Sequence, residues 1–279
     1  MITLTLAQTA VAIILLLGVC GFIFGLILAI ANKKFAVERD PRIHEVEDIL
    51  PKGQCGACGF AGCQAYAEAV VTRPEVAPNL CVPGKTAVAE KVAELTGKKA
   101  EKVEPRVAHI RCANPIKVAH QKYKYSGVND CIAASILHLG PKDCQYGCIG
   151  FGTCEHACPF GAIKLGENGL PIVDRKKCTG CGKCIMACPK KIIELIPVGA
   201  KVAVNCASRD KGGIARKKCP MPCLGCGLCL KQCMHGAIKV ENNLAVVNPA
   251  ICVAECDDPT CLAKCPTGAI QALLNKVNP

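Results

Sequence analysis

The sequence predicts an α+β protein in which one N-terminal transmembrane helix carries small, cysteine-based metal modules. Three observations lead to this expectation: 25 of the 279 residues are cysteine, a long stretch near the N-terminus is uncharged, and one cysteine pattern occurs four times. This cysteine content is typical of proteins framed by metals or disulfides. Tryptophan is absent, and the chain has only six Phe and four Tyr. A large hydrophobic enzyme domain is therefore not expected.

The uncharged stretch runs from Ala7 to Ala31. A helix of about 25 residues spans about 37 Å, enough to cross a bilayer with some tilt. No Lys or Arg precedes the stretch, whereas Lys33 and Lys34 follow it at once. By the positive-inside rule, the sequence predicts a single-pass protein of the cell (inner) membrane with its bulk on the cytoplasmic side.

Two alternatives for this stretch are a secretory signal peptide and a lipoprotein cleavage box before Cys20. The first lacks a basic N-terminal region, and its apolar run is too long. The second has Val19 where a small residue is required. Export would also carry an odd number of cysteines into an oxidising compartment. A membrane anchor is favoured, with Cys20 as an ordinary residue of the helix.

The most specific motif is the run Cys178-x2-Cys181-x2-Cys184-x3-Cys188-Pro189. This is the bacterial ferredoxin spacing, in which three cysteines bind one four-iron cluster and the fourth binds the neighbouring one. A zinc ribbon instead uses two separated pairs of ligands. The chain therefore predicts two bacterial-type two-cluster ferredoxin units in tandem, since a similar run begins at Cys223.

The crossover rule assigns sixteen cysteines to four clusters of these two units. In the first unit the predicted sets are Cys144, Cys148, Cys154 and Cys188, and Cys178, Cys181, Cys184 and Cys158. In the second unit they are Cys223, Cys226, Cys229 and Cys265, and Cys252, Cys256, Cys261 and Cys233. Met234 replaces the usual proline after Cys233, which is expected to alter the loop locally without losing the sulfur.

A fifth set precedes the ferredoxin units and consists of Cys55, Cys58, Cys63 and Cys81. Nearby glycines let the backbone close around a bulky ligand and offer N–H groups to its sulfides. A fifth 4Fe-4S cluster is favoured here, with structural zinc as the alternative. The cysteines left over are either ordinary reduced thiols or the ligands of a sixth site, and they are Cys112, Cys131, Cys206 and Cys219.

The repeat divides the chain. In each copy, a cysteine is followed by a tight corner that ends in Ile, at Ile163, Ile193, Ile238 and Ile270.

In the first cysteine module, helices are expected over Cys63–Thr72 and Lys85–Thr96. The predicted order is an anchor (1–34), a small helical 4Fe-4S module (35–96), a linker and intermediate segment (97–142), a first two-cluster unit (143–193), a connector (194–218) and a second two-cluster unit (219–279).

The formal charge of +12 does not indicate nucleic-acid binding. Each oxidised four-iron site carries roughly −2 with its thiolates, so five sites offset about 10 of these charges. No basic stripe interleaved with aromatic residues is present, and no partner nucleic acid is predicted. No phosphate-binding Gly-rich loop or nucleophile–base pair stands out, so no catalytic residue is assigned and the expected chemistry is electron transfer.

Several motifs together resemble the family of B subunits of Rnf complexes. They are LPKGQCGACGF over residues 50–60, CVPG over 81–84, YKYSG over 123–127 followed by Asp130-Cys131, and GPKDCQYGC over 140–148. Rnf complexes are membrane-bound oxidoreductases that couple electron flow from ferredoxin to NAD with ion pumping. The resemblance implies electron uptake from reduced ferredoxin and transfer to integral membrane subunits and then to flavin- and NAD-binding subunits.

Three rival functions follow from the same cysteines. A polyferredoxin subunit of a membrane hydrogenase or formate dehydrogenase would carry similar ferredoxin units, but has no reason to carry the Cys55–Cys81 module behind one anchor. A cluster-based redox sensor would need an effector domain, for which the chain has no room. A cysteine-rich structural protein does not account for the crossover spacing.

Overall fold

The computed structural model describes residues 6–35, 40–101, 104–256 and 258–273. The chain divides into two compact units, Met1–Pro41 and Arg42–Pro279. The larger of these, Arg42–Pro279, contains the small helical module and both ferredoxin units, and these three parts form one body.

The first unit contains one helix, α1 (Leu6–Phe35). Its segment Val11–Lys34 is long and apolar enough to cross a membrane, and none of its most apolar 18-residue window is buried. At a rise of 1.5 Å per residue, 30 residues extend about 45 Å. Apolar side chains project all round the helix, as expected of a segment whose solvent is lipid. The predicted helix is confirmed, and it fits a single membrane span.

The small helical module is built from α2 (Arg42–Ile49), α3 (Cys63–Thr72) and α4 (Lys85–Thr96). The bounds of α3 and α4 are the predicted ones. The three helices enclose a core centred on Tyr66, whose ring is 1% exposed and whose hydroxyl donates to the carbonyl of Ala77 at 3.0 Å. This core fixes the loops on either side of α3, and those loops carry the cysteines.

In the described part of the chain, the rest of the body consists of short helices and four antiparallel strand pairs. The helices are α5 (Cys131–Ile136), α6 (Thr153–His156), α7 (Lys183–Ala187), α8 (Gly212–Lys218), α9 (Leu228–Gln232) and α10 (Pro249–Glu255). The paired strands are β1 (Arg106–Ile110) with β4 (Ile193–Pro197), β2 (Ile163–Leu165) with β3 (Pro171–Val173), β5 (Val202–Val204) with β8 (Ile270–Ala272), and β6 (Ile238–Glu241) with β7 (Leu244–Val247).

The repeat recognised in the sequence marks the starts of four strands. Ile163, Ile193, Ile238 and Ile270 open β2, β4, β6 and β8, and each is at most 5% exposed. A cysteine ligand, a tight corner and a buried Ile therefore recur as one structural unit. The corner turns the chain from a cysteine loop into a strand that covers that loop.

Two segments expected to be connections belong to the ferredoxin units. The predicted linker supplies β1, which pairs with β4 in the register Ala108↔Leu195. The predicted connector supplies β5, which pairs with β8. Both strands satisfy the hydrogen-bonding groups of an edge that would otherwise be open. Strands of three to five residues carry little periodicity, which is why the sequence did not reveal them.

Strand β5 is shared between the cores of the two ferredoxin units. Ala203 packs in the core of the first unit, whereas Val202 and Val204 pack in the core of the second. Since side chains alternate across a strand, one strand can cover both cores at once. The two units are therefore packed against a common element, not joined by a free tether.

Candidate iron–sulfur centres

The cysteine loops of the two units share one backbone design. Gly180 and Gly182 lie between the cysteines of the first loop, with φ of +74° and +76°, and Gly225 and Gly227 occupy the same places in the second, with φ of +63° and +73°. A short helix begins directly after Gly182 and Gly227. Left-handed glycines let the chain curl within a few residues, so successive sulfurs face one centre.

In the second unit, Cys223, Cys226, Cys229 and Cys265 line one cavity. This is the grouping that the crossover rule predicts. The N–H of Ala245 faces the Cys223 sulfur at 3.4 Å. Burial acts to raise the pKa of Cys265, but the backbone N–H groups of Ile270 and Thr267 outweigh it and lower that pKa. Such N–H donors stabilise anionic sulfur.

The other predicted group of the second unit is also gathered in one place. Burial raises the pKa of Cys261 to about 11, and the thiols of Cys252, Cys233 and Cys256 lie close enough to raise it further. Cys233 itself ends α9 with φ −83° and ψ 101°, close to the φ −84° and ψ 109° of Cys188 in the first unit. The expected alteration by Met234 is therefore not seen at the ligand's backbone.

In the first unit, the structure brings the cysteines of the most specific motif close to Cys158. Burial raises the pKa of Cys184 to about 12, with the thiols of Cys178, Cys181 and Cys158 among its charged neighbours. The N–H of Ala108, in β1, donates to the Cys178 sulfur at 3.4 Å. The strand from the preceding segment thus supplies a hydrogen bond to this site.

The second cavity of the first unit differs from the prediction by one residue. It is lined by Cys131, Cys148, Cys154 and Cys188, with Cys131 where Cys144 was expected. The N–H of Cys131 donates to the Thr153 hydroxyl at 2.8 Å.

That hydroxyl in turn donates to Asp130 at 2.8 Å. Asp130 also accepts from the backbone N–H groups of Ile132 and Ala133, and thereby caps α5. This network holds the start of α5 beside α6, and so places the Cys131 sulfur on the cavity. The pair Asp130-Cys131 before a short apolar run was the available sequence signal, but it lies outside every cysteine run.

Cys144 lies instead on a separate cavity with Cys112, Cys206 and Cys219. Three of these four are cysteines that the repeat left unassigned. The structure therefore places 24 of the 25 cysteines in six groups of four, and the one outside them is Cys20 in α1.

The small helical module gathers Cys55, Cys58, Cys63 and Cys81 around one cavity. Burial raises the pKa of Cys81 to about 11, and the three other thiols act in the same direction. The Gln54 side chain accepts from the N–H of Cys63 at 3.0 Å and fixes the start of α3.

The cysteine groups have donor chemistry that suits an iron–sulfur cluster. All four donors in each group are thiols, which bind iron–sulfur clusters and Zn²⁺ alike. In the ferredoxin units, the spacing of Cys178, Cys181, Cys184 and Cys188 favours four-iron clusters.

Comparison with known families agrees with this chemistry. A family model described as a putative Fe-S cluster matches residues 50–83, and two models described as 4Fe-4S dicluster domains match residues 147–193 and 177–237. The first match contains the four cysteines of the small helical module. Together these matches support iron–sulfur clusters in the module and in tandem dicluster units.

Related proteins resemble the chain over nearly its whole length. The B subunit of a proton-translocating ferredoxin:NAD(+) oxidoreductase complex from Clostridium ljungdahlii is 60% identical over 96% of this chain and 94% of that protein. The B subunit of a Na(+)-translocating ferredoxin:NAD(+) oxidoreductase complex from Acetobacterium woodii is 45% identical over 92% of this chain and 76% of that protein. The B subunit of an ion-translocating oxidoreductase complex from Methanosarcina acetivorans is 41% identical over 90% of this chain and 94% of that protein.

Proposed function

The chain belongs to the family of B subunits of ion-translocating ferredoxin:NAD(+) oxidoreductase (Rnf) complexes, and we propose that it takes electrons from reduced ferredoxin. As a member of this family, it is an iron–sulfur electron-transfer subunit of such an oxidoreductase. It passes these electrons through a row of 4Fe-4S clusters to the other subunits of its complex. Each cluster, when bound, accepts and releases one electron. The observation that carries the proposal is the grouping of the cysteines into sites that adjoin one another.

Five of these clusters have the following ligands in our proposal. The module binds one through Cys55, Cys58, Cys63 and Cys81. The first unit binds two, through Cys158, Cys178, Cys181 and Cys184 and through Cys131, Cys148, Cys154 and Cys188. The second unit binds two, through Cys223, Cys226, Cys229 and Cys265 and through Cys233, Cys252, Cys256 and Cys261.

Contacts between groups support a path along the body. The thiol of Cys55 in the module lies close enough to Cys181 to affect its pKa, and Cys154 does the same to Cys184. In the second unit, Cys229 lies close enough to affect the pKa of Cys261. Sites that adjoin in this way place neighbouring clusters side by side, with little protein between them.

The module is also packed directly onto the first unit. A Cβ at Gly53 would lie 2.7 Å from the ring of Phe160, which follows the ligand Cys158 by two residues. On the opposite side, Val82 lies against Gly180. Because both contacts flank cysteine loops, they hold the module's cavity against the neighbouring one.

The direction of insertion is a further part of the proposal. Lys33 and Lys34 lie in the last turn of α1, and no Lys or Arg precedes the helix in the sequence. The positive-inside rule then favours a cytoplasmic body, where a soluble ferredoxin can reach it. The reducing cytoplasm also keeps the thiols available for clusters.

Replacing one ligand of the most specific motif tests the function. Cys184→Ala in the full complex should lose about four iron atoms per chain and reduce ferredoxin-driven NAD reduction to the background rate, while the chain still inserts in the membrane. Cys20→Ser, a cysteine of α1, is the matched control and should keep wild-type iron and rate. Wild-type electron transfer by the Cys184→Ala complex would contradict the proposed path.

A further inference from the structure

The cavity of Cys112, Cys144, Cys206 and Cys219 lies where the two ferredoxin units meet. Cys112 follows β1, Cys144 belongs to the first unit, Cys206 lies in the connector, and Cys219 is the first residue of the second unit. None of the matched family models includes Cys112 or Cys144. We propose that these four cysteines bind a sixth 4Fe-4S cluster, which links the first unit to the second.

The donors of this cavity match those of the other sites. Like the cavity of the module and the cavity of Cys223 and its partners, it is lined by four thiols. Cys206 is 8% exposed and Cys219 9%, so the site is closed off from bulk water on this side.

The sulfurs receive backbone hydrogen bonds of the same kind as those at the other sites. The N–H of Cys148 donates to the Cys112 sulfur at 3.4 Å, and the N–H of Ser208 to the Cys206 sulfur at 3.4 Å. The distance equals that of the bonds to Cys178 and Cys223. Such donors hold thiolates in place around a cluster and tune its potential.

A buried positive charge lies beside the site. Lys142 is 3% exposed, and its ammonium donates to the carbonyl of Asn114 at 2.9 Å. Within the described part of the chain, no carboxylate forms an ion pair with it. Its charge acts on Cys148 on one side and on Cys219 on the other. A buried ammonium is costly without a nearby anion, and clusters at the two adjoining cavities supply anions.

The position of the site completes the path between the units. Cys148, whose N–H bonds the Cys112 sulfur, lines the cavity of Cys131 in the first unit. The backbone N–H of Cys223, a residue of the second unit's cavity, faces the Cys206 sulfur. A cluster held by these four cysteines would adjoin one cluster of each unit and would supply one-electron transfer between them, with no bond formed or broken.

Paired cysteine variants of the full chain test both the site and its ligands. Iron, acid-labile sulfide and zinc are measured per chain after anaerobic isolation, with Cys20→Ser as control. We expect about 24 iron atoms in the wild type and the control. Cys112→Ser with Cys144→Ser should lose about four, because both serve one cluster, whereas Cys112→Ser with Cys131→Ser should lose about eight.

The opposite pattern, a loss of eight for the first pair and four for the second, would overturn the ligand assignment. About 20 iron atoms in the wild type, with one zinc or with none and no further loss in Cys112→Ser, would overturn the sixth cluster. Although the electron path rests on the proposed function, the metal counts do not. If ferredoxin is not the donor, dithionite-reduced samples still show the loss of one cluster's EPR signal in Cys112→Ser with Cys144→Ser.

Discussion

The two ferredoxin units assemble their ligands in different ways. The second unit takes the eight cysteines of its two groups from its own two runs. The first receives Cys131 from the preceding segment, and its own Cys144 lies on the cavity between the units. This difference indicates that the repeat determines which sulfurs are available, whereas packing of the neighbouring segments determines which sulfurs meet.

The same contrast holds at the cysteine loops. Gly180 in the first unit packs against the carbonyl of Arg106, a residue of the preceding segment. Gly225, its counterpart, packs against the carbonyl of Asn243 in the second unit's own hairpin. At this loop, the first unit therefore contacts a strand from outside its repeat, whereas the second unit contacts its own hairpin.

The largest effect on the stability of each unit is expected when Gly180 or Gly225 is replaced by Ala, and it would sharpen this contrast. A Cβ would lie 2.6 Å from the Arg106 oxygen in Gly180→Ala and 2.7 Å from the Asn243 oxygen in Gly225→Ala, in addition to the strain of positive φ. Each change should destabilise its unit by roughly 2–5 kcal/mol. This destabilisation is measured by denaturant unfolding, with the loss of visible cluster absorbance as the signal.

Gly182→Ala and Gly227→Ala are the matched controls. Their φ values are also positive, but a Cβ would meet nothing within 4 Å, so each should cost about 1 kcal/mol. Gly180→Ala should weaken the sites of Cys112 and Cys131 as well, because β1 is displaced, whereas Gly225→Ala should leave them intact. Equal effects of the four variants would remove the contrast between the units.

A smaller effect is expected from Thr153→Val, which removes the hydroxyl that holds Cys131. The N–H of Cys131 and the carboxylate of Asp130 both lose a partner, at a cost of roughly 1–3 kcal/mol. Iron should then be released to a chelator faster from the first unit, as followed by the EPR signals that remain.

Thr260→Val in the second unit serves as the control. Thr260 precedes the ligand Cys261, but it is exposed and receives only a long hydrogen bond of 3.5 Å from Gln232. This variant should release iron at the wild-type rate. If Thr153→Val also behaves as the wild type, Cys131 is not held by this network.

The smallest effect is expected from Met234→Pro, which gives the second unit the proline that follows Cys188 in the first. Cys233 already has an extended backbone compatible with a following proline. Met234 is 88% exposed, so little packing is lost. The iron content should not change, and stability should rise by about 0.4–1 kcal/mol. A loss of iron in this variant would show that the two loops differ more than their backbones indicate.

Much of the local structure could be predicted from the sequence. The bounds of α3 and α4 follow from alanine-rich runs between cysteine loops, and the Ile of each repeat marks a strand. The group of Cys223, Cys226, Cys229 and Cys265 follows from spacing, because three of its members lie within seven residues and leave the chain few ways to close.

Long-range pairing could not be predicted in the same way. Nothing in the sequence near Arg106–Ile110 indicates that this strand pairs with β4, more than 80 residues later. The exchange of Cys131 and Cys144 has the same cause. Cys144 has the spacing of a first-unit ligand, but the hydrogen bonds of Asp130 and Thr153 bring Cys131 to the cavity instead. Such bonds join residues more than 20 apart and leave no periodic signal.

The central claim is that reduced ferredoxin delivers electrons to a row of clusters held by these cysteines. It is tested most directly by mixing the anaerobically isolated, oxidised full chain with reduced ferredoxin and recording visible absorbance and EPR spectra. The account predicts that the visible absorbance of the clusters falls and that EPR signals of several interacting, reduced four-iron clusters appear. A chain with its full iron content whose spectra stay unchanged after mixing, or a colourless chain that holds zinc, would contradict it.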